Sequence, residues 1–285
     1  MKIGIGLPAA VPGTDMTTLG RWAAEAERSG FDSLGVIDRL VYDNLDPLTA
    51  LAAAASATSR AELITTVLNV GWRGNPVLLA KQMASVDLLS GGRLVAGMGL
   101  GGWPDDYTAS DVPQSGGGAT WDKTLSTMRR AWSGELAGQG GPMPALPSGR
   151  PVLLFGGMVP AAHRRAATHG TGWVAPLFGL PVLREGAQAV RKQWAEIGRE
   201  GQPRIATGRY VSLGHDAERV ADDYIHHYYG QAFFAAARAD TLTSPARIRQ
   251  EIQALREAGA TDVVFYTASG DLEQIALLAE AIARA

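Results

Sequence analysis

The sequence predicts an α/β fold, a closed (β/α)8 TIM barrel with an insertion loop after the fourth strand, formed as a single domain over residues 1–285. Three observations predict it. A short β-rich run followed by an amphipathic helical stretch recurs eight times, the alternation that builds parallel sheets. The β-rich runs are apolar throughout, as strands covered on both faces must be. The length of 285 residues suits one barrel of about 250. An open doubly wound sheet accommodates about five to seven such units, and eight less well.

Ile3–Leu7 is the first strand, and Asp15 caps a helix whose Leu19, Trp22, Ala23 and Ala26 share one face until Gly30 stops it. Phe31–Ile37 is the second strand; Asp46–Pro47 then opens a helix with Leu48, Leu51, Ala52 and Ala55 inward, proline suiting a first turn. Leu63–Leu68, rich in β-branched residues, is the third strand. Asn75–Pro76 starts a helix carrying Leu79, Met83, Val86 and Leu89, ended by Gly91 and Gly92, and Leu94–Met98 is the fourth strand. Gly101 to Gly118 shows no periodicity, and a loop that long in a compact domain is functional or mobile. A helix with Trp121, Leu125, Met128 and Trp132 follows, then a Gly/Pro-rich connection over Gly138–Pro151. Val152–Phe155 pairs with the helix Pro160–His169, and Trp173–Ala175 with Pro181–Arg199. Arg204–Leu213 leads into the long stretch Ala217–Ala239 and a helix from Ser244–Pro245 to Gly259. Asp262–Tyr266 and Leu272–Ala283 complete the eighth unit.

Composition narrows the function classes. Apolar residues at 46% and charged residues at 19% exclude global disorder. Lys and Arg number 26 and Asp and Glu 28, a net charge of −2 with no electrostatic footprint for nucleic acid or an anionic membrane. The absence of Cys removes disulfides, thiolate nucleophiles and Cys-ligated metals. Uncharged runs such as Pro151–Ala162 and Gly172–Leu183 contain Gly or Pro and fall below the roughly 18 residues of a membrane helix. A weak signal-peptide reading of the N-terminus is broken by Gly4, Gly6, Pro8 and Pro12. A soluble, cytoplasmic protein is expected.

A barrel of this kind places its site at the carboxyl ends of the strands. There the chain carries Asp38, Arg39 and Tyr42; Asn69, Trp72 and Arg73; Gly99, Gly101, Trp103, Asp105, Asp106 and Tyr107; Gly156, Gly157 and Met158; and Phe178. That mixture suits a flat aromatic ligand with an anionic tail. Gly97-Met98-Gly99-Leu100-Gly101-Gly102 has the form of a dinucleotide fingerprint, but it lies in the fourth unit and opens no helix, so a tight turn or close ligand approach fits better. Gly156-Gly157 before Pro160 exposes backbone N–H groups at a helix N-terminus, where the dipole favours a phosphate; a plain turn is the alternative. Asp222, Asp223, His226 and His227 form two i, i+4 pairs that read as solvated helix polarity, so no metal is expected. His163, His169 and His215 read as surface or turn residues, and Asp105–Asp106 as loop carboxylates or acid–base groups.

At these positions the sequence resembles the bacterial luciferase-like family of flavin-dependent monooxygenases and oxidoreductases. The ordered landmarks are Gly30-Phe31-Asp32-Ser33-Leu34 leading to Asp38, Thr65-Thr66-Val67-Leu68, Leu79-Ala80-Lys81-Gln82, and Leu88-Leu89-Ser90-Gly91-Gly92-Arg93-Leu94. Gly97-Met98-Gly99, Asp106-Tyr107, Trp132 and Phe155-Gly156-Gly157 continue the series over almost the whole chain. The resemblance implies FMN, or in some branches the 8-hydroxy-5-deazaflavin coenzyme. It implies a non-prolyl cis peptide at Thr66–Val67 backing the ring. The cofactor set it implies is Asp38, Thr66, Val67, Asn69, Gly99 and Gly101 around the ring, with Gly156, Gly157 and Met158 at the phosphate. Arg39, Trp72, Trp103 and Tyr107 are the catalytic candidates, contacting substrate or ring edge. Many relatives carry a catalytic His at the end of the second strand; here Asp38–Arg39 stands there. Arginine holds an anion but is no ready acid or base.

The leading expectation is therefore a monooxygenase that takes reduced FMN from a separate flavin reductase and oxygenates a small organic substrate. The alternatives are deazaflavin-dependent hydride transfer and a non-catalytic flavin-binding protein. A flavin-free phosphate-sugar enzyme would need a lysine or carboxylate pair at the strand ends, and Lys2, Lys81, Lys123 and Lys192 all lie elsewhere. The resemblance also implies a homodimer.

Overall fold

The computed structural model describes residues 1–114 and 117–283. Ser115 and Gly116 of the expected loop, and the last two positions of the expected domain, lie outside the described residues. Eight parallel strands close into a barrel: β1 (Lys2–Gly6), β2 (Ser33–Val36), β3 (Glu62–Asn69), β4 (Leu94–Gly99), β5 (Val152–Gly156), β6 (Gly172–Val174), β7 (Arg204–Val211) and β8 (Asp262–Thr267). Each strand pairs with its sequence neighbours, and β1 pairs with β8 to seal the ring. Each lies within two residues of its expected end, because apolar runs bounded by glycine or polar turns have few alternative limits.

The helices wrap the barrel as α1 (Leu19–Arg28), α2 (Pro47–Ala57), α3 (Pro76–Leu89), α4 (Pro104–Ala109), α5 (Gly117–Trp132), α6 (Pro160–His169), α7 (Leu180–Glu196), α8 (Ala217–Ala239), α9 (Pro245–Ala258) and α10 (Glu273–Ala283). Their starts follow local chemistry. Asp46 accepts the Thr49 N–H at 2.9 Å and Asn75 the Leu78 N–H at 2.9 Å, each before a first-turn proline. The expected α1 stripe of Leu19, Trp22, Ala23 and Ala26 is buried against the barrel, and burying Leu19 and Trp22 contributes about 2–3 kcal/mol each.

Three local expectations are corrected. The aperiodic segment after β4 contains α4, started by Pro104 at N1 with Asp105 and Asp106 in its first turn; six residues are too few to show a period. The Gly/Pro-rich connection pairs Ala137–Gly138 with Gly141–Pro142 as a short antiparallel ribbon. α8 is broken at Gly230, whose φ of 63° and ψ of −179° are not helical.

The barrel interior is filled by glycine–aromatic complementarity. A Cβ on Gly6 would lie 2.3 Å from the Tyr266 ring, one on Gly35 2.6 Å from its hydroxyl, and one on Gly208 3.0 Å from its ring. Glycines on β1, β2 and β7 thus leave room for one tyrosine from β8. At the amino end, Arg204 of β7 joins Glu62 of β3 at 2.6 Å and Asp262 of β8 at 2.5 Å, and Lys2 meets Glu62 at 2.9 Å.

Candidate active site

The site grows from an irregularity in β3. Its pairing with β4 runs Thr66↔Gly97 and then Leu68↔Met98, leaving Val67 without a partner. The Thr66–Val67 peptide is cis, as the resemblance implies. The bulge directs the Val67 side chain between two strand-end glycines: a Cβ on Gly156 would lie 2.9 Å from its Cγ1 and one on Gly99 3.0 Å from its Cγ2. Thr66 Oγ1 lies 2.5 Å from the Tyr266 hydroxyl.

Above the bulge is a cavity of about 130 Å3 lined by Ile37, Asp38, Thr66, Val67, Asn69, Trp103, Leu177, Tyr210, Tyr228 and Tyr229. Five sequence-predicted residues meet here: Asp38, Thr66, Val67, Asn69 and Trp103. Asp38 Oδ2 accepts the Asn69 N–H at 2.8 Å and an Arg73 N–H at 3.1 Å, while Asn69 Nδ2 donates to the Asp38 carbonyl at 2.7 Å. Burial nevertheless outweighs Arg73 and holds the Asp38 carboxyl above the usual range. Arg39 lays its guanidinium on Trp103, 3.8 Å from the ring centroid, with Asp106 Oδ2 3.6 Å from its Nε.

Trp72 and Tyr107 are placed differently. They pack edge to face at 5.5 Å, and the Tyr107 hydroxyl donates to the Leu100 carbonyl at 2.7 Å. A Cβ on Gly101 (φ 91°) would lie 2.5 Å from the Trp72 ring. These two aromatics buttress the loop leaving β4 and are not among the cavity-lining residues. Gly156 and Gly157 form the turn into α6, whose N-terminus no side chain caps. The Gly157 carbonyl accepts the Trp173 indole N–H at 2.9 Å, and Met158 is exposed.

Sequence reasoning missed the tyrosines. Tyr210 faces inward from β7, and its hydroxyl lies 3.0 Å from that of Tyr229. Tyr228 and Tyr229 come from α8, just before the break at Gly230. The available signal was aromatic density: Tyr224, Tyr228 and Tyr229 recur at 4 and 5 residues. Burial pushes the Tyr42, Tyr210, Tyr228 and Tyr266 hydroxyls up and takes Tyr229 to about 12, so the wall is neutral and protonated near pH 7. His163, expected at the surface, is buried against Trp173 at 5.3 Å, and burial pushes its imidazole down. Asp222 pairs with Arg238, and Asp223 with Arg219 at 3.0 Å.

The residues present fit a planar tricycle bearing a phosphate. The floor is a bulge with an apolar side chain, the walls are aromatic, and Val67 connects the chamber to Gly156 beside an uncapped helix N-terminus suited to an anion. The chamber is tight, since ligand pockets run from about 300 Å3 upward; Trp103, just before α4, is one of its walls. A wider cleft of about 470 Å3 lies between the loops after β1 and β8, near Thr14 and Asp271. It contains none of the predicted residues. No described helix is long and apolar enough to cross a membrane.

Comparison with known proteins identifies the fold and the family. An uncharacterised protein of Mycobacterium tuberculosis is 30% identical over 172 residues, covering 56% of this chain and 60% of the relative, so the chain spans about three fifths of that protein's length. The crystal structure of monooxygenase RslO1 from Streptomyces bottropensis superposes with a TM-score of 0.81 at 22% identity, covering 100% of this chain and 99% of the other. An F420-dependent secondary alcohol dehydrogenase in complex with an F420-acetone adduct superposes with a TM-score of 0.80 at 18% identity, covering 99% and 98%. At those identities the likeness establishes the barrel. The family model for luciferase-like monooxygenases matches residues 1–284, and the chain belongs to that family.

Proposed function

We propose that this protein is a flavin-dependent oxidoreductase, specifically a monooxygenase that receives reduced FMN from a separate reductase and uses oxygen on a small organic substrate. The observation that carries the oxygenase reading is the proton chemistry of the chamber. Hydride exchange with an alcohol or carbonyl moves a proton as well, which calls for a group titrating near neutrality. The lining residues include no histidine. Arg39 is a fixed cation, the tyrosines are pushed up, and Asp38 is engaged by Asn69 and Arg73. FMN, when bound, supplies the redox chemistry. Thr66 and Val67 would hold its ring, the α6 N-terminus would hold its phosphate, and Trp103, Tyr228 and Tyr229 would exclude water.

One observation favours a second reading, hydride transfer with the deazaflavin coenzyme. Asp38 is buried, lines the chamber and has its carboxyl pushed up by desolvation, the condition under which a carboxyl exchanges a substrate proton. Titration with FMN and with the 8-hydroxy-5-deazaflavin coenzyme, oxidised and reduced, separates the readings when oxygen uptake is followed alongside. Reduced FMN binding with substrate-stimulated oxygen uptake is expected. Deazaflavin binding without oxygen uptake selects the second reading, and failure of both to bind removes both. The proposal includes a second copy of the chain as partner, checked by light scattering for twice the 30.0 kDa chain mass.

A further inference from the structure

The Arg39 side chain is 93% buried yet donates no hydrogen bond to any described residue. Its Nε is fully buried without a partner. The carboxylate facing it, Asp106, is wholly buried; its Oδ1 accepts the Val41 N–H at 2.9 Å, and its Oδ2, 3.6 Å from Arg39 Nε, is itself unpartnered. That separation compensates charge but is too long for a hydrogen bond. A buried Nε–H without an acceptor, on a guanidinium whose other nitrogens have no described protein partner, is a donor set suited to an incoming acceptor. Its surroundings are flat and aromatic: Trp103 beneath at 3.8 Å, Tyr42 at 5.2 Å and Tyr228 at 5.7 Å. The Tyr42 hydroxyl is likewise buried without a partner. Trp103 and Tyr228 are also chamber walls, so the guanidinium lies directly behind the chamber's aromatic lining.

We infer that Arg39 is the substrate-recognition residue of this site and that the substrate is a planar aryl carboxylate, its carboxylate across the guanidinium fork and its ring against the tyrosines. The fork matches a carboxylate in geometry. Asp106 already offsets part of the Arg39 charge, so a single carboxylate suits the site better than a doubly charged anion. The word substrate rests on the oxidoreductase reading; the anion site does not.

Calorimetric titration of the full chain with benzoate and with benzamide, in the presence and absence of FMN, tests the inference. Benzoate is expected to bind at least ~10-fold more tightly than its neutral isostere, the order of one charge-assisted hydrogen bond. Arg39→Met erases the preference and Arg39→Lys retains only part of it. Asp106→Asn keeps the acceptor for Val41 but removes the competing charge, so it tightens benzoate binding, a gain that misfolding cannot imitate. Equal binding of the two probes, a preference that survives Arg39→Met, or no gain in Asp106→Asn overturns the inference. Parallel titrations with FMN and the deazaflavin coenzyme assign the anion. Loss of cofactor binding in Arg39→Met with the benzoate preference intact would give Arg39 to the cofactor and overturn it as well. A benzoate preference in a protein that binds neither cofactor sinks the proposed function and leaves this inference standing.

Discussion

At the scale of single residues, the glycines of the site do two different jobs. Gly157, with φ of 118°, takes a left-handed conformation in the turn. Gly99 and Gly156 instead make room for one side chain, Val67, which approaches both. Gly156→Ala is therefore expected to lower stability by about 1–3 kcal/mol through overpacking, measured by denaturant unfolding. Val67→Ala in the same background recovers most of the loss, since the two sites are in contact and do not add. An unaltered Gly156→Ala protein would mean that the bulge yields freely. The glycines themselves were legible as a site signal, because spacing after a strand is local. Their reason was not, because Val67 is distant in sequence and reaches them only through the bulge.

At the scale of elements, α8 decides the chamber wall. Gly230 adopts a backbone region essentially confined to glycine, and a Cβ there would meet nothing within 4 Å. Gly230→Ala thus costs backbone strain alone, of order 1–3 kcal/mol. It is expected to lower Tm and to alter the near-ultraviolet circular dichroism of Tyr228 and Tyr229; a lower Tm with an unchanged aromatic spectrum would detach the break from the wall. Glu27 of α1 shows element-level pH dependence. Burial opposes its ionisation, but the N–H groups of Ala61, Ser59 and Arg60, with the Arg60 charge, lower its pKa from 4.5 to about 2. Its folded pKa lies below its unfolded value, so its stabilisation is present above pH 4.5 and is lost as pH falls through about 2. Thermal melts should show wild type more stable than Glu27→Gln at pH 7, with the gap closing across that window. The helix α8 itself was legible from its length; its break was not, because glycine is tolerated inside helical patterns and only packing shows which one unwinds.

At the scale of the whole molecule, the barrel closes through its floor as well as its ladder. Arg204 ties β3 to β8 across β7 through Glu62 and Asp262. Burial opposes ionisation of Glu62, but Arg204 and Lys2 prevail and lower its pKa. Arg204→Met leaves Asp262 without its cation and Glu62 with Lys2 alone, a loss on the order of 3 kcal/mol at neutral pH. Because the folded pKa of Glu62 is depressed, that deficit should shrink as pH falls and Glu62 protonates. Urea unfolding at pH 7 and pH 4 checks this, and a deficit independent of pH would make the loss one of packing.

The sequence by itself determined the barrel, the order of its eight units, most helix starts and the strand ends from which the site is built. Each of these follows from hydrophobic runs, caps and glycine stops that act over a few residues. Only the tertiary structure decided which rim residues meet: Trp72 and Tyr107 buttress a loop, whereas Tyr210, Tyr228 and Tyr229 close the chamber beside Arg39. Those contacts join the loop after β2, the loop after β4, β7 and α8 across long stretches of chain, and closure of the barrel, which no local pattern encodes, brings them together.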